Sequence, residues 1–246
     1  MILGIDVGSR TTKAVLWNGR EILAFRVEPT GANMKEKASQ MIKEVLKDCG
    51  EVDKVVATGY GRQQVEAAKR ISEISCQAKA IHFLFPKAKT VIDIGGQDSK
   101  VILLGPEGKV LDFIMNDKCA AGTGRFLEMM AGVLEIKLED YGLLFDLATE
   151  EINLSSTCAV FAESELISLM ACGKERESLS RAVCFSVVER TVSLIERVGG
   201  QPPFVFTGGV AENRGVLKAL EKRLGVPVMV PPQPQITAAL GACLLG

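Results

Sequence analysis

The sequence predicts an α/β protein of two lobes, each built on a mixed sheet with helices on its faces. Three observations predict it. The 246 residues are 47% apolar and 24% charged, enough to bury a full core and too hydrophobic for a disordered chain. Strand-like and helical patterns alternate after hairpin-like openings, as expected where helices cover mixed sheets. The chain also repeats itself. Residues 2–16 read Ile-Leu-Gly-Ile-Asp-Val-Gly-Ser-Arg-Thr-Thr-Lys-Ala-Val-Leu, and residues 89–103 read Lys-Thr-Val-Ile-Asp-Ile-Gly-Gly-Gln-Asp-Ser-Lys-Val-Ile-Leu. Setting Asp6 on Asp93 also sets Gly8 on Gly95, Lys13 on Lys100 and Leu16 on Leu103, without a gap.

Each copy is an apolar strand, an Asp, a Gly-containing tight turn and a second apolar strand, the signature of a β-hairpin. After the first copy, 21–27 reads as a third strand. Residues 33–48 form an amphipathic helix, with Met34, Ala38, Met41, Ile42, Val45 and Leu46 on one stripe. Residues 52–58 are a strand ending in Gly59-Tyr60-Gly61. No low-complexity linker occurs, which places the lobe boundary near 85–89 and gives lobes of 1–88 and 89–246. In the second lobe 101–104 and 110–115 read as strands, followed by helices over 123–133, 159–170 and 176–198. Phe204-Val205-Phe206 is a short buried strand running into Thr207-Gly208-Gly209-Val210-Ala211-Glu212-Asn213. A helix over 214–224, a strand over 226–230 and a final helix over 235–245 complete the chain, the last able to pack back on the first lobe.

Composition excludes several functions. Lys and Arg total 29 against 30 Asp and Glu, a net charge of −1, so neither a nucleic-acid footprint nor a polybasic membrane anchor is present. Aromatics at 5% are too sparse for base-stacking platforms. Residues 224–246 carry no charge, yet Pro227, Pro231, Pro232 and Pro234 could not be absorbed together by a spanning helix. The first six residues lack a basic region and meet Asp6 early, unlike a signal peptide. The expectation is a cytoplasmic protein, without membrane or nucleic-acid partners. Seven cysteines and no CxxC pair argue against disulfides, zinc ribbons and thioredoxin-type chemistry, and most should be small buried hydrophobes. A Ser-His-Asp or His-metal site would rest on the single His82.

The repeated hairpin suits a phosphate. Gly8, Gly95 and Gly96 let backbone N–H groups approach an anion. Ser9, Thr11 and Thr12 add hydroxyls, Arg10 lies between them, and Lys13 adds a point charge. Asp6 and Asp93 end their strands, where a carboxylate can hold hydrated Mg²⁺ or act as a general base. Gln97 and Asp98 lie close enough to position an attacking water. Two ordinary Asp-Gly hairpins are the plain alternative; two in-register copies favour a two-lobed phosphate clamp. Thr207-Gly208-Gly209 lies between a strand and a helix, so a nucleoside could rest on backbone at a helix N-terminus. Phosphate, phosphate, then adenosine is the element order of the superfamily of sugar kinases, actin and chaperone ATPases. The chain resembles it throughout, which implies that ribonuclease H-like fold, with two lobes and a nucleotide cleft.

Two cysteines stand out. Asn116-Asp117-Lys118-Cys119-Ala120-Ala121-Gly122-Thr123-Gly124-Arg125-Phe126 and Ser155-Ser156-Thr157-Cys158-Ala159-Val160-Phe161-Ala162-Glu163-Ser164-Glu165 each open a helix, where unpaired N–H groups favour a thiolate or an anionic ligand. Two buried thiols near helix caps are the plain reading. Together with 91–100 and 207–213, however, these stretches resemble the BadF/BadG/BcrA/BcrD ATPase family, and within it the activators (component A, archerase) of 2-hydroxyacyl-CoA dehydratases. The resemblance implies a homodimer holding one [4Fe–4S] cluster, with Cys119 and Cys158 of each chain as ligands, because such a cluster takes four thiolates. It also implies ATP and ADP binding, ferredoxin or flavodoxin as donor, and a partner iron–sulfur dehydratase or reductase of the component D type. Carried over by position, Ser9 to Lys13 with Gly95 and Gly96 would bind phosphates. Gly208, Gly209 and Arg214 would border the nucleoside, and Gln235 would reach base or ribose. The chain departs from the family at Gln77, where His is frequent, at Arg214, where an aromatic can stack, and at Thr237-Ala238, where Asn-Gly is common; it ends without the usual basic tail. A sugar-type kinase and an actin-like or chaperone-like scaffold share the fold, but no sugar motif or substrate domain is evident.

Overall fold

The computed structural model describes residues 1–116, 118–154 and 158–246. Asp117, Ser155, Ser156 and Thr157, all within the two cysteine motifs, lie outside the described residues. The chain divides into two compact units. One comprises Met1–Ala88, Leu104–Leu111 and Pro231–Gly246, the other Lys89–Leu103 and Asp112–Val230.

In the first unit β1 (Ile2–Val7), β2 (Thr11–Trp17) and β3 (Ile22–Pro29) form an antiparallel meander. Helix α1 (Met34–Cys49) carries the chain to β4 (Lys54–Thr58), parallel to β1, and β5 (Lys69–Arg70) follows, parallel to β4. Helix α1 starts where Asn33 accepts the Glu36 amide and stops at Gly50, whose φ is 83°, a conformation that L side chains rarely adopt. The two-residue period of a strand divides β2 between two cores. Ala14 and Leu16 pack with Leu3, Met41 and Val45 under α1. Val15 and Trp17 pack with Ala80, Ala239, Leu240 and Cys243, which belong to α2 (Glu73–Leu84) and the C-terminal helix (Thr237–Leu244). Met41 is wholly buried, a contribution of roughly 1.5–3 kcal/mol.

The second unit repeats the plan. Strands β6 (Thr90–Ile94), β7 (Ser99–Leu104) and β8 (Val110–Asn116) are followed by α3 (Gly124–Leu134), α4 (Tyr141–Leu147), α5 (Ala159–Ala171) and α6 (Arg176–Val198). Then come β9 (Phe204–Thr207), α7 (Arg214–Leu224) and β10 (Val228–Met229), with the C-terminal helix as α8. The sheets run β3-β2-β1-β4-β5 and β8-β7-β6-β9-β10, the same order element for element. Phe126, Leu127 and Met130 of α3, Val183 and Val187 of α6 and Val216 of α7 enclose one core with Ile92 and Ile94. The expected strand over 226–230 shrinks to Val228–Met229 because Pro227 and Pro231 lack the N–H that a ladder needs. The expected final helix begins as a 3₁₀ turn at Pro234–Ile236 and becomes α-helical at Thr237. Among the described residues no helix is long and apolar enough to cross a membrane.

Candidate functional site

In the first unit the hairpin register places Asp6 opposite Lys13 and Val7 opposite Thr12. The turn closes with Gly8 N–H donating to Thr11 O at 3.1 Å. Asp6 is 3% exposed; its Oδ2 accepts from Lys13 Nζ at 3.0 Å, while Oδ1 has no hydrogen-bond partner. Ser9 and Thr11 are half-buried and Arg10 is exposed. Thr12 is buried with its hydroxyl 3.0 Å from that of Thr30, and Thr30 in turn donates to Gly8 O at 2.8 Å. Gln235 belongs to this unit, half-buried in the 3₁₀ turn.

The second unit has the same construction. Asp93 faces Lys100 across the hairpin, and Gly95 N–H donates to Asp98 O at 2.9 Å. Lys100 Nζ lies 3.5 Å from Asp93 Oδ2 and 2.9 Å from Asp98 Oδ2. Gly95 and Gly96 are half-buried and Gln97 is exposed. Gly208, Gly209 and Arg214 lie in this unit too. Gly209 and Arg214 are exposed, and Asn213 caps α7 by accepting the amides of Gly215 and Val216. The structure thus gathers Asp93, Gly95 to Asp98, Gly208, Gly209, Arg214 and both motif cysteines in one unit, and Asp6, Ser9 to Lys13 and Gln235 in the other.

Sequence reasoning missed a third matched element. Thr58 stands beside Asp6 in parallel register, as Thr207 stands beside Asp93. Each Thr is followed by a glycine in the left-handed region, Gly59 at φ 87° and Gly208 at φ 85°. A Cβ on Gly59 would overlap Asp6 Oδ1, and one on Gly208 would sit 2.6 Å from Asp93 Oδ1. Each carboxylate is therefore boxed between a lysine and bare glycine backbone. The signal was visible as Thr-Gly after an apolar strand in both halves.

Cys119 is half-buried against the second core, and its carbonyl accepts from Asn116 Nδ2 at 3.2 Å. A tight turn follows, with Thr123 Oγ1 donating to Ala120 O at 2.6 Å. The next amides, Gly124 and Arg125, donate to Gly95 O and Gly96 O, each at 2.9 Å. Cys158, also half-buried, is the N-cap residue of α5, which leaves Val160, Phe161 and Ile167 exposed. Cys76, Cys184 and Cys243 differ. All three are buried, and desolvation pushes their thiols up, Cys76 and Cys243 to about 12. They stay protonated and are poor ligands. Among the described residues no group of three or more His, Cys, Asp or Glu could hold a metal ion.

Residues 3–246 match the model of the BadF/BadG/BcrA/BcrD ATPase family. The chain belongs to that family. Across nearly its whole length it is 50% identical to the activator of lactoyl-CoA dehydratase of Anaerotignum propionicum, over 98% of this chain and 95% of the relative. A solved structure of the activator of 2-hydroxyisocaproyl-CoA dehydratase from Clostridium difficile, with bound ADPNP, superposes with a TM-score of 0.91 at 41% identity, covering 99% of this chain and 93% of that one. A ROK family glucokinase from Streptomyces griseus, at a TM-score of 0.64 and 13% identity over 100% of this chain and 98% of that one, shares the fold alone. This member of the BadF/BadG/BcrA/BcrD family is an ATPase of the actin, sugar-kinase and chaperone fold.

Proposed function

We propose that this ATPase activates a partner iron–sulfur enzyme, a dehydratase or reductase of the kind that its relatives' names describe. In this reading a homodimer shares one [4Fe–4S] cluster, and ATP hydrolysis drives electron delivery at low potential. The observation that carries it is the pair Cys119 and Cys158. Both are half-buried, Cys158 as the N-cap residue of α5 and Cys119 five residues before α3, while Cys76, Cys184 and Cys243 are buried. Two donors per chain match a cluster of four thiolates only when two chains share it. Val160 and Phe161, exposed one turn or less from Cys158, give a second copy an apolar surface to cover. When bound, the cluster would supply a one-electron store; ferredoxin or flavodoxin would be its donor.

The chain's own residues would do the rest. The Gly8 and Gly95 turns, with Ser9, Arg10, Thr11, Thr12, Lys13 and Gly96, hold ATP phosphates, while Gly208, Gly209, Arg214 and Gln235 receive the nucleoside. Asp6 and Asp93 would hold Mg²⁺ or take a proton from the attacking water, which Gln97 and Asp98 would orient. Asp6 fits such a role because its buried Oδ1 lacks a partner within the protein and would gain one from a hydrated cation. Free cysteines among the described residues suit the reducing cytoplasm.

Anaerobic purification and iron analysis test the reading. About four Fe per two chains are expected, with Cys119→Ser and Cys158→Ser each abolishing them. A cluster that survives in the Cys119→Ser/Cys158→Ser double variant sinks the assignment.

A further inference from the structure

The two hairpins match residue for residue, yet their charges differ. At the shared offset Asp98 takes the place of Thr11, Gln97 that of Arg10 and Gly96 that of Ser9. Only in the second hairpin does the cross-strand lysine meet two carboxylates of the copy, Asp93 and Asp98. The lysines differ accordingly. Lys13 keeps 16% of its side chain exposed beside Asp6. Lys100 keeps 2%, between Asp93 and Asp98. Among the described residues Lys100 is the only buried cation, and an ammonium is buried at such depth only where carboxylates repay its lost hydration.

We infer that Lys100 is a positioning residue for ATP hydrolysis, holding the Asp93 and Asp98 carboxylates in place without touching the nucleotide. Three features of the geometry carry this. Lys100 is the cross-strand register partner of Asp93, so the ladder fixes where its side chain starts. Its Nζ meets both acids, at 3.5 Å and 2.9 Å, and so ties the strand-end carboxylate to the turn. Its burial leaves no surface with which to grip a phosphate, whereas Asp98 remains 34% exposed and can face a ligand. The first hairpin carries Thr11 where the second carries Asp98. The inference rests on the reading that the second hairpin handles the phosphates of ATP.

Steady-state ATP hydrolysis by the full chain tests it, with a thermal melt on every variant. Lys100→Met is expected to lower kcat by about 10- to 100-fold, the usual cost of removing a group that orients a functional one. The KM for ATP should stay within about threefold of the parent, because no ground-state contact is lost. Lys100→Arg, which keeps the charge, should recover most of that loss. A folded Lys100→Met protein with parental kcat overturns the inference, and so does a loss carried by KM. Lys100→Gln decides the matter where Lys100→Met does not fold: reduced kcat supports the inference and parental kcat overturns it. Asp93→Asn separates the two levels. Parental turnover in that variant removes the reading of the hairpin itself, whereas an inactive Asp93→Asn beside active Lys100 variants removes only the role of Lys100.

Discussion

The Gly124 amide donates to the Gly95 carbonyl at 2.9 Å, so the helix that starts five residues after Cys119 is fastened to the turn between β6 and β7. The first amides of a helix have no partner within it, and here two of them are used on that turn. The fit is close. A Cβ on Gly124 would lie 3.3 Å from Gly95 O, Gly96 Cα and Val210 Cγ2. Alanine would demand shifts of a few tenths of an ångström and valine far more. Gly124→Val should therefore displace the turn and raise the KM for ATP by about tenfold or more, while leaving Cys119 in place. Equal KM values for parent and variant would show that the turn holds its shape without α3.

Asp6→Asn and Asp93→Asn address the two hairpins separately. If both carboxylates act on metal or water, each change should cut ATP turnover by on the order of 10²-fold or more. Circular dichroism should remain unchanged, since amide and carboxylate have the same shape. A variant that hydrolyses ATP at the parental rate would mark its own hairpin as purely structural.

Most of this architecture is legible in the residues because hairpins and amphipathic helices are local. The register that faces Asp6 with Lys13 and Asp93 with Lys100 follows from strand, turn and strand alone. Helices α6 and α7 begin and end at the bounds read from the sequence, 176–198 and 214–224. What escaped depends on tertiary context. Helix α2 hides a buried Gln77 and Cys76 on its inner face, so its pattern reads as an apolar run around His82 rather than as a helix. Helix α4 is seven residues long, too short for a periodicity to emerge, and is held by Tyr141 donating to Leu127 O at 3.3 Å. Likewise the pairing of Thr58-Gly59 with Thr207-Gly208 spans strands far apart in sequence. The two Thr-Gly dipeptides stand in the sequence, but their equivalence follows from the strand order that both sheets share.

The cysteines divide by burial, which labelling can read. At pH 8, iodoacetamide should modify Cys172, which is exposed, and leave Cys76, Cys184 and Cys243 untouched in the native chain. Desolvation also sets a sign for alkaline stability. The buried thiols have raised pKa values, Cys76 and Cys243 at about 12 against an ordinary 9.0, and burial raises Cys184 and Tyr141 in the same direction. Their contribution is complete below the unfolded thiol value and is lost as pH climbs from there towards the folded value. The melting temperature should accordingly fall between pH 9 and pH 11. A flat profile over that interval, or early alkylation of Cys184, would contradict the burial assigned to these groups.

The Gly124–Gly95 link also predicts that nucleotide state is felt at Cys119. If the β6–β7 turn holds the phosphates, ATP and ADP differ in what they offer it, and the turn is bonded to Gly124 and Arg125. Shifting a two-state equilibrium from 1:99 to 99:1 takes about 5.5 kcal/mol of differential binding, within reach of a γ-phosphate and Mg²⁺ contacting several donors. In cluster-loaded protein, a water-soluble chelator should therefore remove iron at clearly different rates with a non-hydrolysable ATP analogue and with ADP. Gly124→Val, which loosens the link, should bring the two rates together even at saturating nucleotide. The control is Lys137→Ala, at an exposed surface position of the same unit, which should keep them apart. If the parent loses iron at one rate in every nucleotide state, the phosphate turn and the cysteine helix share a hydrogen bond but no signal. If the rates differ and Gly124→Val leaves the difference intact, the signal exists and travels by another route.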